Sequence, residues 1–356
     1  SFLAMTKIKA KLMKIKAGII GGAGYTGGEM LRILVNHPQV EIAFVNSNSN
    51  AGNLISDVHT DLFGDTNLRF TDRTDFDTLF KEASPTGGEL EGAVLFLCVG
   101  HGDAKKFLEA NPIDAKVKII DLSQDFRLIQ NSKFKIQNLD REFIYGLPEL
   151  NKEQIKSVQN IANPGCFATC IQLGLLPLAS KGLLQNEVHI NATTGSTGAG
   201  QSLSKTSHFS WRNNNLSIYK AFEHQHLNEI GESLVQLQGE VKEALNFIPQ
   251  RGDFTRGILA AMYTESDLTE EQAYELYESY YANHPFTHVS RKNIDLKQVV
   301  NTNKCLIHLE KHGNKLFIIS IIDNLLKGAS GQAVQNMNLM FGLEETTGLR
   351  LKAANF

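Results

Sequence analysis

Hydrophobic and polar positions fall into two textures along this chain. From residue 14 to about 163, short apolar runs alternate with stretches of helical spacing. Residues 15–20 predict a strand. Residues 26–36 predict a helix, with Met30, Ile33 and Leu34 on one face and His37-Pro38 ending it. Residues 40–45 predict a second strand. The runs at 93–99 (AVLFLCV) and 117–122 (VKIIDL) are apolar almost throughout, the pattern of parallel strands covered on both faces. Together these elements predict a doubly wound α/β domain.

Beyond residue 165 the texture changes. Residues 187–194, 257–265, 304–310 and 315–323 predict strands, the last two joined by His312-Gly313-Asn314 as a hairpin. Residues 226–244, 269–283 and 329–341 predict helices. The second half therefore reads as an α+β domain with a mostly antiparallel sheet. There is no internal repeat, and the polar stretch 46–53 is a loop.

Composition narrows the function classes. A chain of 356 residues, 42% hydrophobic and 21% charged, is globular and long enough for two domains. Lys and Arg number 35 against 38 Asp and Glu, a net charge of −3 with no basic stripe, so nucleic acid is not an expected partner. The one basic run, Lys7, Lys9, Lys11, Lys14 and Lys16, alternates with apolar residues and reads as a frayed lead into the first strand. Part of it is expected to precede the native start, for which Met5 and Met13 both qualify. It lacks the apolar core of a signal peptide, and no run nears the ~18 apolar residues of a membrane span. Cys98, Cys166, Cys170 and Cys305 show no disulfide framework, so a reduced cytoplasmic setting is expected.

Six segments carry candidate chemistry. Gly21-Gly22-Ala23-Gly24-Tyr25-Thr26-Gly27 follows a strand and opens a helix. Gly21, Gly24 and Gly27 would allow a tight turn, approach of a phosphate, and strand–helix contact, with helix N–H groups free for the anion. The region after the second strand, Asn46-Ser47-Asn48-Ser49-Asn50, holds no acid for a ribose 2′-hydroxyl, and its hydroxyls and amides suit a 2′-phosphate. NADP is thus the expected cofactor. Asn163-Pro164-Gly165-Cys166 places a thiol at the start of an apolar helix, where the dipole lowers its pKa and favours a nucleophile; Cys98, Cys170 and Cys305 read as buried structural thiols. His224 and His226 are candidates for the accompanying base, and with no further spaced Cys/His cluster no metal is predicted. Gly195-Ser196-Thr197-Gly198-Ala199-Gly200 could form an anion nest, and Arg251 and Arg256 are candidate carboxylate partners.

Seven segments in one order carry a family resemblance: GGAGYTG, IIDLSQDFRL (119–128), YGLPELN (145–151), NPGCFAT (163–169), HQHLNEI (224–230), FTRGIL (254–259) and KGASGQAVQNMNL (327–339). Spanning about 15–343, the chain resembles the N-acetyl-gamma-glutamyl-phosphate reductases of arginine biosynthesis, relatives of aspartate-semialdehyde dehydrogenase. The resemblance implies a Rossmann domain at 14–164, a catalytic and oligomerisation α+β domain at 165–326, and a C-terminal helix within 327–356 returning to the cofactor domain. It implies an acyl-phosphate substrate, a cysteine thioester, and a homodimer or homotetramer. Cys166 would be the nucleophile and His226 the acid/base. Arg127, Ser196, His224 and Arg256 would face the substrate. Gly21, Gly24, Tyr25, Thr26, Gly27, Ser47, Ser49, Gly198, Gln332 and Asn336 would face NADP.

Three segments depart from the family pattern. Cys170 stands where Gly or Ala is usual, Val99-Gly100-His101-Gly102 replaces Leu-Pro-His-Gly, and Phe-Ile-Pro-Gln-Arg-Gly-Asp-Phe-Thr-Arg-Gly brings in Arg251 as an added cation. An N-succinyl group has a carboxylate for it and an N-acetyl group has none. The alternatives are aspartate-semialdehyde dehydrogenase or a related thiol-dependent aldehyde dehydrogenase and, in another class, an NADP-binding sensor without catalysis.

Overall fold

The computed structural model describes residues 14–83, 90, 92–136 and 139–354. Met5, Met13, Lys7, Lys9 and Lys11 lie outside the described residues. The strands are β1 (Ile15–Ile20), β2 (Val40–Asn46), β3 (Phe70–Thr71), β4 (Ala93–Leu97), β5 (Lys118–Asp121), β6 (Lys133–Ile136), β7 (Leu139–Tyr145) and β8 (Asn160–Ala162), then β9 (Val188–Thr194), β10 (Ser217–Ile218), β11 (Leu245–Arg251), β12 (Ile258–Glu265), β13 (Thr287–Ser290), β14 (Cys305–His312) and β15 (Lys315–Ile322).

The first eight form one sheet in the order β3-β2-β1-β4-β5-β8-β7-β6, parallel except at β6–β7. The strand order reverses beside β1, which pairs with both β2 and β4. The crevice beyond the carboxyl ends of β1 and β4 is the place where open α/β sheets bind ligands. β4 is buried at every position, as its unbroken apolar run requires. The helix Tyr25–Leu34 comes after β1, its Met30, Leu31, Ile33 and Leu34 buried against the sheet.

The other seven strands form a sheet ordered β10-β11-β9-β12-β15-β14-β13. Four of its six pairings are antiparallel; β11–β9 and β13–β14 are parallel. The alternation of β12 buries Ile258, Ala260 and Met262 on one face, with Leu259, Ala261 and Tyr263 half-exposed on the other. The helix Cys166–Ala179 covers the buried face; all its residues but Cys166 are buried. The helix Gly331–Met340 crosses back to the first sheet, and its Ala333, Val334 and Met337 share one core with Met30 and Leu31. Among the described residues no helix is long and apolar enough to cross a membrane.

Boundaries move where local chemistry overrides periodicity. The helix expected at 226–244 is His226–Gln238, ended by Gly239 in a positive-φ conformation. The helix expected at 269–283 is Glu270–Tyr281, opened by a capping box in which Thr269 accepts from the Gln272 N–H. β11 has no counterpart among the expected strands, because Pro249 and its polar neighbours mask it.

Candidate active site

A cleft of about 590 Å³ runs from the glycine turn, past β4's end, to Cys166. The turn makes one wall. Gly21 has φ +75°, and a Cβ on Gly27 would fall 2.6 Å from Gly21 O. A Cβ on Gly24 would meet only that carbonyl, at 3.6 Å, so the backbone there faces open space. This glycine cradle at a helix start fits a dinucleotide's phosphates. Gly24, Tyr25 and Thr26 line the cleft, as does Gly198 opposite. At the end of β2, Ser47 Oγ lies 3.5 Å from Ser49 Oγ, and Asn50 Nδ2 donates to both.

The second wall begins at Asn163-Pro164-Gly165, which leads from β8 into the Cys166 helix. The approach is close: a Cβ on Gly165 would fall 2.4 Å from His226 Nε2. Glu229 ties the corner together. Its Oε2 accepts from the Gly165 N–H at 3.1 Å and the Tyr145 hydroxyl at 2.7 Å. Its Oε1 accepts from Arg127 Nη1 at 3.2 Å and lies 3.7 Å from His226 Nε2. Gln172 Nε2 donates to Tyr145 Oη at 2.8 Å, so the carboxylate is held from behind. Glu229 was legible as the i+3 neighbour of His226 on one helix face; Tyr145, 84 residues away, was not.

The electrostatics overturn one expectation. Burial pushes the Cys166 thiol up to about 11, outweighing the Phe167 N–H at the helix start and the Arg127 charge. Burial, and after it the Arg127 cation, holds His226 well below 6.5. His224 is held at about 4 by burial and by the Lys220 and Arg251 cations, and its Nδ1 accepts from the His226 N–H at 3.3 Å. The corner at rest is therefore a neutral thiol beside neutral imidazoles. The buried His226 Nδ1 has no hydrogen-bond partner among the described residues.

The cations also differ from expectation. Arg127 lines the cleft, but its guanidinium also donates to Asn163 O at 2.8 Å and Leu122 O at 2.9 Å. Arg251 lines the cleft with its guanidinium 4.7 Å from the Tyr219 ring centre. Asp253 is not engaged with it; that carboxylate accepts from the Asn214 N–H at 2.6 Å. Lys220, unforeseen in a loop without periodicity, lines the cleft too. Arg256 does not. Its guanidinium is taken up by Glu29 at 2.5 and 3.0 Å and by Asp323 at 3.0 and 3.1 Å, leaving no fork for substrate.

Three further expectations are corrected. The nest at 195–200 is closed: the N–H groups of Gly195, Ser196, Thr197 and Gly198 donate to Gly257 O, Phe254 O, Thr255 O and Gly195 O. Ser196 is not part of the cleft wall. Gln332 and Asn336 are wholly buried, Gln332 donating to Thr169 Oγ1 and Asn336 to Gly146 O and Asn163 Oδ1. Both knit the last helix to the protein and face no cleft. Among the described residues no three His, Cys, Asp or Glu side chains converge on a metal site.

Sequence and structure comparisons agree with this architecture. Residues 16–158 match the semialdehyde dehydrogenase NAD binding domain, and residues 166–324 the semialdehyde dehydrogenase dimerisation domain. N-acetyl-gamma-glutamyl-phosphate reductase of Bacteroides thetaiotaomicron is 59% identical over 342 residues, 96% of this chain and 100% of that protein. The enzyme of the same name from Flavobacterium johnsoniae is also 59% identical, over the same shares. Aspartate semialdehyde dehydrogenase II of Vibrio cholerae, complexed with ASA, superposes with a TM-score of 0.69 at 15% identity, over 93% of this chain and 99% of that one. Aspartate semialdehyde dehydrogenase from Candida albicans, with NADP, gives 0.65 at 14%, over 92% and 98%. At such identities the two structures speak for the fold, and the identity of the close relatives speaks for more: the chain belongs to the N-acetyl-gamma-glutamyl-phosphate reductase family of the semialdehyde dehydrogenases.

Proposed function

We propose that the chain reduces N-acyl-L-glutamyl 5-phosphate to N-acyl-L-glutamate 5-semialdehyde with release of phosphate, using NADPH, in arginine biosynthesis. The observation that carries this reading is the corner where Gly165 seats Cys166 against His226 and Glu229 in the cleft that opens on the glycine turn. Cys166 begins as a thiol, so His226, neutral at rest, takes its proton as sulfur adds to the substrate's acyl carbon. The carbon–oxygen bond to phosphate breaks and a thioester on Cys166 remains. When bound, NADPH supplies the hydride that reduces the thioester. His226 returns its proton to the thiohemiacetal oxygen, and collapse frees the aldehyde and the Cys166 thiol. Glu229 holds the imidazole in place and stabilises its charged form while it carries the proton. Gly21, Gly24, Tyr25, Thr26 and Gly27 would hold the cofactor's phosphates, Ser47 and Ser49 its 2′-phosphate, and Gly198 would border it from the far side.

Arg251 is assigned to a carboxylate of the N-acyl group. It faces the cleft without an ion pair among the described residues, and its buried Nε lacks a hydrogen-bond partner. The molecule divides at 14–164, 165–326 and 327–356. A homodimer or homotetramer would form on the half-exposed sheet face of Tyr263, Ala261, Phe317 and Ile319, within the segment matching a dimerisation domain. The four free cysteines suit a cytoplasmic setting. Phosphate-dependent NADP reduction with an N-acyl-glutamate semialdehyde tests the whole reading. An NADP-binding sensor shows none, and an aspartate-semialdehyde dehydrogenase requires aspartate semialdehyde.

A further inference from the structure

Arg256 stands two residues before β12, and its four short contacts reach two domains. Glu29 belongs to the helix that the glycine turn opens, whereas Asp323 comes directly after β15. Arg256 is the bridge between them, its side chain 13% exposed, with Glu29 at 9% and Asp323 at 0%. Burying one cation and two carboxylates carries a desolvation penalty, and apolar side chains would hold the two domains together without it. What a planar guanidinium adds is direction: it fixes both carboxylates in its own plane.

Asp323 also organises the turn immediately after it. Its Oδ1 accepts from the Leu325 and Leu326 N–H groups at 2.8 and 3.1 Å, and its carbonyl from the Gly328 N–H at 2.9 Å. These bonds shape the π-helical turn Leu326–Ser330. Such turns are uncommon and recur at functional sites. A Cβ on Gly328 would fall 2.8 Å from Cys166 Cβ, so the turn's backbone is the seat of the thiol-bearing residue. The same turn touches the glycine-turn helix, through Ser330 Oγ to Thr26 O at 2.8 Å, and the approach to Cys166, through Asn163 Nδ2 to Ala329 O at 3.2 Å.

We propose that Arg256 is a positioning residue for Cys166: its fork joins the dinucleotide-side helix at Glu29 to Asp323, and Asp323 sets the π turn on which Cys166 is seated. The inference rests on Cys166 being the nucleophile. It gives the arginine of the Thr255-Arg256-Gly257 segment a task without substrate contact. A lysine keeps the charge but cannot reach both carboxylates in one plane, so Arg256→Lys isolates the fork from the charge.

The test measures kcat, KM for the acyl phosphate and Kd for NADPH in Arg256→Lys, and alkylation of each of the four cysteines by iodoacetamide in the same folded sample. The expected result is a kcat loss of roughly 10- to 100-fold with KM and Kd within about twofold. Cys166 alkylation is expected to rise about fivefold or more, with Cys98, Cys170 and Cys305 unchanged. Combining Arg256→Lys with Asp323→Asn should cost less than the sum of the two, because both act through one turn. The proposal fails if kcat or Cys166 alkylation stays at the native value. It fails equally if all four thiols rise together, if the loss falls on NADPH affinity, or if the two substitutions add. Alkylation reads the seat without turnover, so it stands apart from the nucleophile assignment, which active Cys166→Ser would refute.

Discussion

At the residue scale the proposed chemistry depends on moving one proton. Cys166, near 11, and His226, well below 6.5, are both uncharged at neutral pH. Replacing the thiol by a hydroxyl removes the group that the base can activate. Cys166→Ser is therefore expected to lose turnover by roughly 10⁴-fold or more while NADPH binding, followed by fluorescence, stays within about twofold. His226→Asn should lose roughly 10²-fold at pH 7, and His224→Asn less. With the base gone the thiolate must form unaided, and below its pKa its fraction climbs about tenfold per pH unit. The His226→Asn rate should accordingly climb between pH 7 and 9 more steeply than the native rate; parallel kcat/KM profiles would remove His226 from the proton transfer. Arg251 is read by a ratio. The native enzyme should prefer the N-succinyl over the N-acetyl substrate, and Arg251→Ala should erase that preference, a change of roughly 10- to 100-fold in the ratio of kcat/KM values for one charge-assisted pair. Loss of both activities in equal measure would put Arg251 on the substrate's α-carboxylate instead. Cys166 and the two histidines were legible because each sits in a short segment whose neighbours announce a turn or a helix start. Arg256 was misplaced for the opposite reason: its partners, Glu29 and Asp323, are 227 and 67 residues away, and nothing local shows a charge already paired.

At the element scale, apolar runs foretold what packs, and capping chemistry decided where it stops. β1 and β4 were plain because both faces are covered. β11 was hidden because a strand beside β9 and β10 can carry a buried Pro249 among the half-buried polar side chains Asn246, Gln250 and Arg251. The loop after β2 is read by what it lacks. Ser47 and Ser49 stand where an NAD site has an acid, and NADPH should be preferred over NADH. Ser47→Asp is expected to narrow or invert that preference in paired kcat/KM measurements, since a carboxylate repels a 2′-phosphate and accepts from a 2′-hydroxyl. Equal use of both cofactors by the native enzyme would contradict this use of the loop. The 195–200 segment shows the limit of such reading: a glycine-rich loop looks like an anion nest until its N–H groups are counted, and here the 254–257 backbone takes those of Gly195, Ser196 and Thr197 while Gly198 and Gly200 bond within the loop.

At the scale of the whole molecule, two sheets meet through one helix that starts with Cys166 and another that returns from the chain's end. The outer face of the second sheet carries cross-strand pairs, Tyr263 with Phe317 and Ala261 with Ile319, that remain half-exposed. Ile319→Lys is expected to shift the assembly toward monomer in analytical ultracentrifugation, because a charge at the centre of an apolar contact has no partner to meet it. An unchanged mass would place the contact elsewhere. The return helix has a consequence in time. Ala333, Val334 and Met337 complete the wall over Met30 and Leu31, yet about 170 residues separate them from the end of β8. A ribosome adding about 5–20 residues per second delivers them roughly 10–30 seconds after the first sheet has emerged. Through that interval the Met30 and Leu31 side of the first sheet lacks the apolar cover that the return helix brings. A stalled ribosome or a stop codon before Gly331 therefore injures the first domain made, from the far end of the message.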